Sequence, residues 1–194
     1  MRVTGGELAG RTLRVPARGV RPTADRVRES MFMILSPELA GARVLDLYAG
    51  TGALGIEALS RGAKSCLFVE SDRQALATLG ENLARLGLGG RAEIAGTTVE
   101  RWIESANRRL VFELVLMDPP YQAPGILAVL AAIGRSRRVV PGGRLVIEHD
   151  RRVELDAAGF ELVDRRRYGD TVVSFLTPVA PPAPAPLPGP RSAC

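Results

Sequence analysis

Two short stretches of the chain carry residue types that could do chemistry. The first reads Asp46-Leu-Tyr-Ala-Gly50-Thr-Gly52-Ala-Leu-Gly55, a glycine loop between an apolar run and a helical pattern. Glycines let a ligand approach the backbone, and the carboxyl end of a strand is where ligands sit in open α/β sheets. Taken literally, G-x-G-x-x-G is the dinucleotide pattern, although any tight strand–helix turn favours glycine. Asp46 alters that reading. A carboxylate four residues before the first glycine repels a pyrophosphate and suits a ligand with a cationic amine. S-adenosylmethionine fits, with an α-amino group, a sulfonium and no phosphates. The next apolar run ends in Phe68-Val69-Glu70, placing an acid where it can hold both ribose hydroxyls. The plainer reading of Asp46 and Glu70 is helix capping or a solvated strand end.

The second stretch is Leu116-Met117-Asp118-Pro119-Pro120-Tyr121. Two consecutive prolines remove two backbone donors and hold the chain extended, so that carbonyls face outward. An exocyclic amine on a nucleobase is a poor nucleophile, because its lone pair is delocalised into the ring. The Asp118 side chain and the Pro119 carbonyl can accept its two N–H bonds and turn the lone pair toward a sulfonium methyl. Tyr121 then stacks on an extruded base. No strong base is needed beforehand, since the nitrogen becomes acidic only once methylated. Orientation and electrostatics carry such a reaction. Asp-Pro-Pro-Tyr is also an ordinary turn signal.

Composition excludes several other chemistries. The 194 residues suffice for one domain with a proper core. One histidine, His149, and two cysteines, Cys66 and Cys194, leave no zinc cage and no Cys/His catalysis, so no metal is expected. Sparse cysteine, no apolar run near the roughly 18 residues of a membrane span, and no signal-like N-terminus together point to a cytoplasmic protein. The 26 basic residues outnumber 21 acidic ones, and all but Lys64 are arginine. Arginine suits bidentate phosphate contacts, so nucleic acid is the natural partner; GC-rich codon usage is the bland alternative. The excess is uneven. Residues 1–30 hold seven arginines against Glu7, Asp25 and Glu29.

Elements that position these motifs follow from periodicity. Gly5-Gly6 and Gly10-Arg11 suggest a short hairpin, and a helix fits Thr23 to Leu35, capped by Thr23. Strands are expected at 44–47, 66–70, 92–95, 114–117 and 145–148, alternating with helices at 53–60, 72–86, 99–106 and 126–133. That alternation implies a parallel sheet covered on both faces. Strands at 160–163 and 171–176, with 164–170 between them, form an antiparallel pair and bring the count to seven. The expected organisation is a basic hairpin and helix over 1–40, the α/β domain over 41–177, and a disordered Pro-rich tail over 178–194, which holds seven of the 14 prolines. Arg135, Arg137, Arg138 and Arg165–Arg167 read as solvated surface, with RNA contact as the alternative. His149 reads as structural or exposed and Cys66 as core.

With both motifs in place, residues 2–178 resemble the bacterial 16S ribosomal RNA guanine-N2 methyltransferase family, small-subunit methyltransferase D. The resemblance rests on Gly5-Gly6, Gly10-Arg11, the block Arg21-Pro-Thr23-Ala-Asp25-Arg26-Val-Arg28-Glu29-Ser30, Asp46–Gly55, Glu57–Gly62 and Asp118–Tyr121. The Arg21–Ser30 block is the most specific piece; the other motifs are shared with many amino-methyltransferases, DNA adenine enzymes included. The resemblance implies a Rossmann-like class I methyltransferase with a seven-stranded, mostly parallel sheet and an antiparallel last strand. It implies S-adenosylmethionine bound by Asp46, Gly50, Gly52, Glu70, Thr97, Thr98 and Asp118, and methylation of a guanine N2 in 16S rRNA, within the small subunit or its assembly intermediate. Relatives carry Asp or Asn after the third strand where this chain has Thr97, which offers one hydrogen bond. Thr23, Arg26 and Arg28 are expected to touch either the cofactor carboxylate or RNA phosphate, against the alternative of a charged helix face. A DNA adenine-N6 methyltransferase, a non-catalytic RNA-binding protein on the same fold, and an NAD-dependent oxidoreductase are the competing readings.

Overall fold

Strands that are apolar on both sides must be covered on both sides, and the chain builds such a sheet. The computed structural model describes residues 1–15, 22–105, 110–120, 125–155 and 159–179, with backbone alone for 22–24. In chain order the elements are α1 (Pro22–Leu39), β1 (Arg43–Leu47), α2 (Ala53–Ser60), β2 (Ser65–Glu70), α3 (Arg73–Leu86) and β3 (Ala92–Gly96). They continue with α4 (Val99–Ser105), β4 (Phe112–Met117), α5 (Ile126–Ser136), β5 (Val139–Asp150), β6 (Phe160–Tyr168) and β7 (Thr171–Pro178). The strands lie in the order β3-β2-β1-β4-β5-β7-β6. β1 to β5 pair in parallel, and β7 runs antiparallel to both its neighbours. The expected seven-stranded, mostly parallel sheet with an antiparallel last strand is what forms.

Alternate residues along each central strand feed two separate cores. Val44, Leu114, Leu116 and Val146 face Phe32, Leu35, Ile56 and Leu79 of α1, α2 and α3. Leu45, Leu47, Val115, Met117 and Ile147 face Trp102 of α4 and Leu130 and Ile133 of α5. The N-terminal residues 1–13 pair back on themselves, with Arg2 opposite Thr12, and Val3 and Leu13 join the first core.

Three segments depart from the sequence expectation. β6 runs on through Asp164–Tyr168, which reads as a connection because it is polar; a strand at the sheet edge can carry arginines that stand in water. The turn shrinks to Gly169-Asp170, with Gly169 at φ 65°. β5 starts at Val139, and Pro141-Gly142-Gly143 forms an irregularity in its pairing with β4 between Phe112 and Leu114. Arg138 is not surface: it is 1% exposed, its guanidinium lies 4.6 Å from the Trp102 ring centroid, and it donates to the Ile103 carbonyl. Desolvation strengthens such a cation–π contact.

Candidate active site

The glycine loop leaves β1 through a strained turn. Tyr48 takes a left-handed conformation (φ 58°), uncommon for a bulky residue, and its hydroxyl donates to Glu100 at 3.3 Å. Gly52 caps α2 at φ 86°. A Cβ on Gly55 would stand 2.3 Å from Phe68 Cε1 and 2.6 Å from Cys66 Sγ, so the first turn of α2 lies directly on β2. Gly55→Ala is therefore expected to destabilise the fold by about 1–3 kcal/mol, as overpacking does. Thermal melts would check it, and an unchanged melting temperature would contradict this packing.

Asp46 lies beneath that loop. It is 1% exposed, and its Oδ2 accepts the Gly55 N–H at 2.9 Å. Burial raises its carboxyl to about 7, opposed by the Gly55 bond and reinforced by the charges of Asp118 and Glu70. The three acids read from sequence thus feel one another at the carboxyl ends of β1, β2 and β4. Glu70 accepts the Gly50 N–H at 2.7 Å on one oxygen, and the Ser71 and Asp72 N–H groups at 2.7 and 2.8 Å on the other. Asp46 therefore also does the capping work of the plainer reading, at the first turn of α2, whereas α3 is capped by Asp72, which accepts the Ala75 N–H at 2.8 Å. By lone-pair count, one acceptor position remains on Glu70.

Asp118 faces solvent beyond the end of β4, although close-packed neighbours push its carboxyl upward from the usual range; water on the open side limits that push. With Pro119, Pro120, Ile126, Glu148, His149 and Asp150 it lines a cavity at the carboxyl edge of β4 and β5. His149 is a structural member of that wall, 4% exposed, with Nε2 2.9 Å from Ser174 Oγ and Nδ1 2.9 Å from the Asp150 carbonyl.

Other expected site residues divide. Thr97 is half-buried after β3, whereas Thr98 Oγ1 accepts the Arg101 N–H at 3.3 Å and so caps α4. Arg26 is exposed on α1. Arg28 is not available to a substrate. It is 3% exposed and spent on Glu57 at 3.4 Å, Asp25 at 3.0 Å and the Arg2 carbonyl. Tyr121 and the Thr23 side chain, like residues 180–194 of the expected tail, lie outside the described residues.

Two buried polar residues with no local sequence signal hold the site in place. Asn82 of α3, 1% exposed, accepts the Arg14 N–H at 2.8 Å and donates to the Arg14 and Thr51 carbonyls at 3.0 Å each. Glu57 of α2, fully buried, accepts from Thr4 N, Thr4 Oγ1 and Arg61 Nε at 2.8, 2.7 and 2.7 Å, and from Arg28. The N-terminal arm is thereby pinned to both flanks of the glycine loop.

Known proteins are similar to this chain in sequence and in fold. The Bacillus subtilis protein YlbH, whose name proposes an rRNA methyltransferase, is 41% identical over 179 residues, covering 90% of this chain and 97% of its own. Ribosomal RNA small subunit methyltransferase D of Escherichia coli K12 is 41% identical over 123 residues, 63% of this chain and 61% of that protein. Among solved structures, the Escherichia coli protein YhhF, provisionally named a methyltransferase, superposes with a TM-score of 0.83 at 30% identity, covering 93% of this chain and 99% of that one. A methyltransferase-like protein, SMU.776, solved with SAH shares only 14% identity, but its TM-score of 0.66 over 81% of this chain and 50% of its own shows the same class I methyltransferase fold. With a family model matching residues 1–177, the chain belongs to the family described as conserved hypothetical protein 95.

Proposed function

We propose that this protein transfers a methyl group from S-adenosylmethionine to the exocyclic N2 amine of a guanine in small-subunit ribosomal RNA. The observation that carries the reading is the Asp118-Pro119-Pro120 segment at the end of β4, with Asp118 and Pro120 exposed and Asp118 raising the carboxyl of Asp46 beneath the glycine loop. The names of the relatives supply the rRNA and small-subunit context.

Glu70, with one acceptor position left for a ribose hydroxyl, and Thr97 would hold the cofactor's adenosine. Gly50 and Gly52 let it approach the backbone. Asp46, buried beneath the loop, would favour the cofactor's cationic methionine end through its charge. The target amine donates to the Asp118 carboxylate and the Pro119 carbonyl, and Tyr121 stacks on the base. When the nitrogen lone pair attacks, the N–C bond forms as the S–C bond breaks, and the bond pair leaves on sulfur. The resulting cationic nitrogen then gives up a proton, which Asp118 or water accepts. Electrostatic preorganisation of this kind needs no histidine.

The raised Asp46 carboxyl gives this account a pH signature. Without cofactor it is protonated below about 7; the cationic ligand favours its ionised form, so binding at lower pH releases a proton. Cofactor affinity is expected to climb by up to about tenfold per unit below pH 7. It should fall again above about 8, where an α-amino group loses its charge. Calorimetry in buffers of different ionisation heat reads the proton directly, and Asp46→Asn should abolish the acidic limb. A flat profile would remove Asp46 from the cofactor site.

The activity is tested by incubating the protein with methyl-labelled S-adenosylmethionine and, separately, unmethylated small subunits, naked 16S RNA and duplex DNA. Label in subunits or RNA is expected. Label in DNA alone would overturn the proposal.

A further inference from the structure

A second surface lies beyond the cleft. Arg26, Ser30, Met33 and Ile34 fall at helical spacing along α1 and form one stripe. Met33 is 68% exposed and Ile34 36%, an expensive pair to leave in water on a helix whose other face is core. Opposite them stand Arg166, Arg167 and Tyr168 of β6, enclosing with Ser30, Met33 and Ile34 a depression of about 430 Å³. That is within the roughly 300–1,000 Å³ of clefts that hold small ligands, enough for a nucleotide. The Ser30 and Tyr168 hydroxyls are hydrogen-bonded at 2.6 Å and fix the two walls together.

Chain direction places this groove beside the site. Three residues join α1 to β1, so the N-terminal end of α1 points to the carboxyl edge of the sheet. Tyr168 pairs with Thr171, and Thr171 with Asp150, which lines the cavity next to Asp118. The lining is basic: Arg166 and Arg167 stand in it, and Arg26 lies one turn before Ser30 on the same stripe of α1. Asp164 is paired with Arg166 at 2.9 Å and Asp170 with Arg151 at 3.1 Å. Arg167 donates through Nε to the Gly169 carbonyl, which leaves its outer guanidinium donors for a ligand.

We infer that the α1–β6 groove binds single-stranded RNA flanking the target nucleotide, with a base on Met33 and Ile34 and phosphates on Arg166, Arg167 and Arg26. This rests on the RNA-methylating reading above and extends it to a second binding surface outside the cleft. Apolar floor beside arginines is what sequence-tolerant single-strand binding requires: bases supply faces and phosphates supply charge. Arginines on an edge strand also discourage pairing with another chain. That role, however, calls for neither an exposed Met33 nor a groove leading to the cleft.

The test compares the full chain with Arg166→Glu/Arg167→Glu and, separately, Met33→Glu; Arg135→Glu/Arg137→Glu on α5, across the sheet, is the control. Both groove variants are expected to raise KM for methylation of subunits or RNA about tenfold or more, with kcat and S-adenosylmethionine affinity unchanged. In direct binding to a single-stranded RNA oligonucleotide, the arginine variant should reduce the salt slope by about 1.4, at roughly 0.7 for each phosphate that the two arginines neutralise. Oligonucleotide affinity and KM equal to wild type would overturn the proposal. So would a KM effect confined to assembled subunits with RNA binding unchanged, which would assign the groove to a ribosomal protein. Binding is read apart from transfer, so a wild type that binds RNA through these residues but transfers no methyl refutes the activity and not the groove.

Discussion

Asp118→Ala is expected to lower the single-turnover rate of methyl transfer by about 10²–10³-fold, the usual cost of removing one preorganised polar partner of the transition state. The side chain is solvent-facing, so its removal should leave the melting temperature where it was. Asp118→Asn keeps one acceptor oxygen and should recover part of the rate. If Asp118 only shaped a turn, both variants would lose stability and activity together, with no advantage to asparagine. Rates measured at saturating cofactor separate the orienting role from any weakening of cofactor binding.

The largest loss of stability is expected at Glu57. Its carboxylate is wholly buried and receives Thr4, Arg28 and Arg61, so it joins the N-terminal hairpin, α1 and α2 at one point. Glu57→Gln keeps the volume but leaves Arg28 buried without its buried counter-charge. Breaking a buried pair from one side costs about 3–5 kcal/mol. For a domain of this size that corresponds to a drop of about 6–20 °C in melting temperature. A double variant, Glu57→Gln with Arg28→Met, should recover much of the loss, since a neutral pair needs no compensating charge. A drop below about 1 kcal/mol would mean the hairpin is not held by this carboxylate.

Which features are legible in the sequence and which are not follows from range. The central strands announce themselves because residues such as Val44–Leu47 and Leu114–Met117 are apolar at every position that is not chemistry, the mark of a strand buried on both sides. The two motifs sit where such strands end, so local pattern alone places the acids Asp46, Glu70 and Asp118 at one sheet edge. It cannot place Glu57 and Asn82, because their partners lie 53 and 68 residues away along the chain.

Arg28 is instructive in a different way. It shares residue type with Arg26 and stands two positions from it, so charge alone groups the two together. Yet Arg28 is on the stripe of Phe32, Leu35 and Leu39, at intervals of four, seven and eleven residues, and that periodicity points it into the core. The charge masks a signal that is present. Arg138 is hidden differently, since a buried arginine stacked on Trp102 has no local signature. β6 errs in the opposite sense, its exposed arginines concealing an edge strand.

If this cleft methylates a guanine amine in ribosomal RNA, the identity of the labelled nucleoside will reveal it. Unmethylated small subunits or 16S RNA would be labelled by the wild-type protein from methyl-labelled S-adenosylmethionine, digested completely and separated. Label is expected in N2-methylguanosine, entering about 10²–10³-fold more slowly with Asp118→Ala. Label in N6-methyladenosine, or in any nucleoside methylated on carbon or ribose, would contradict it.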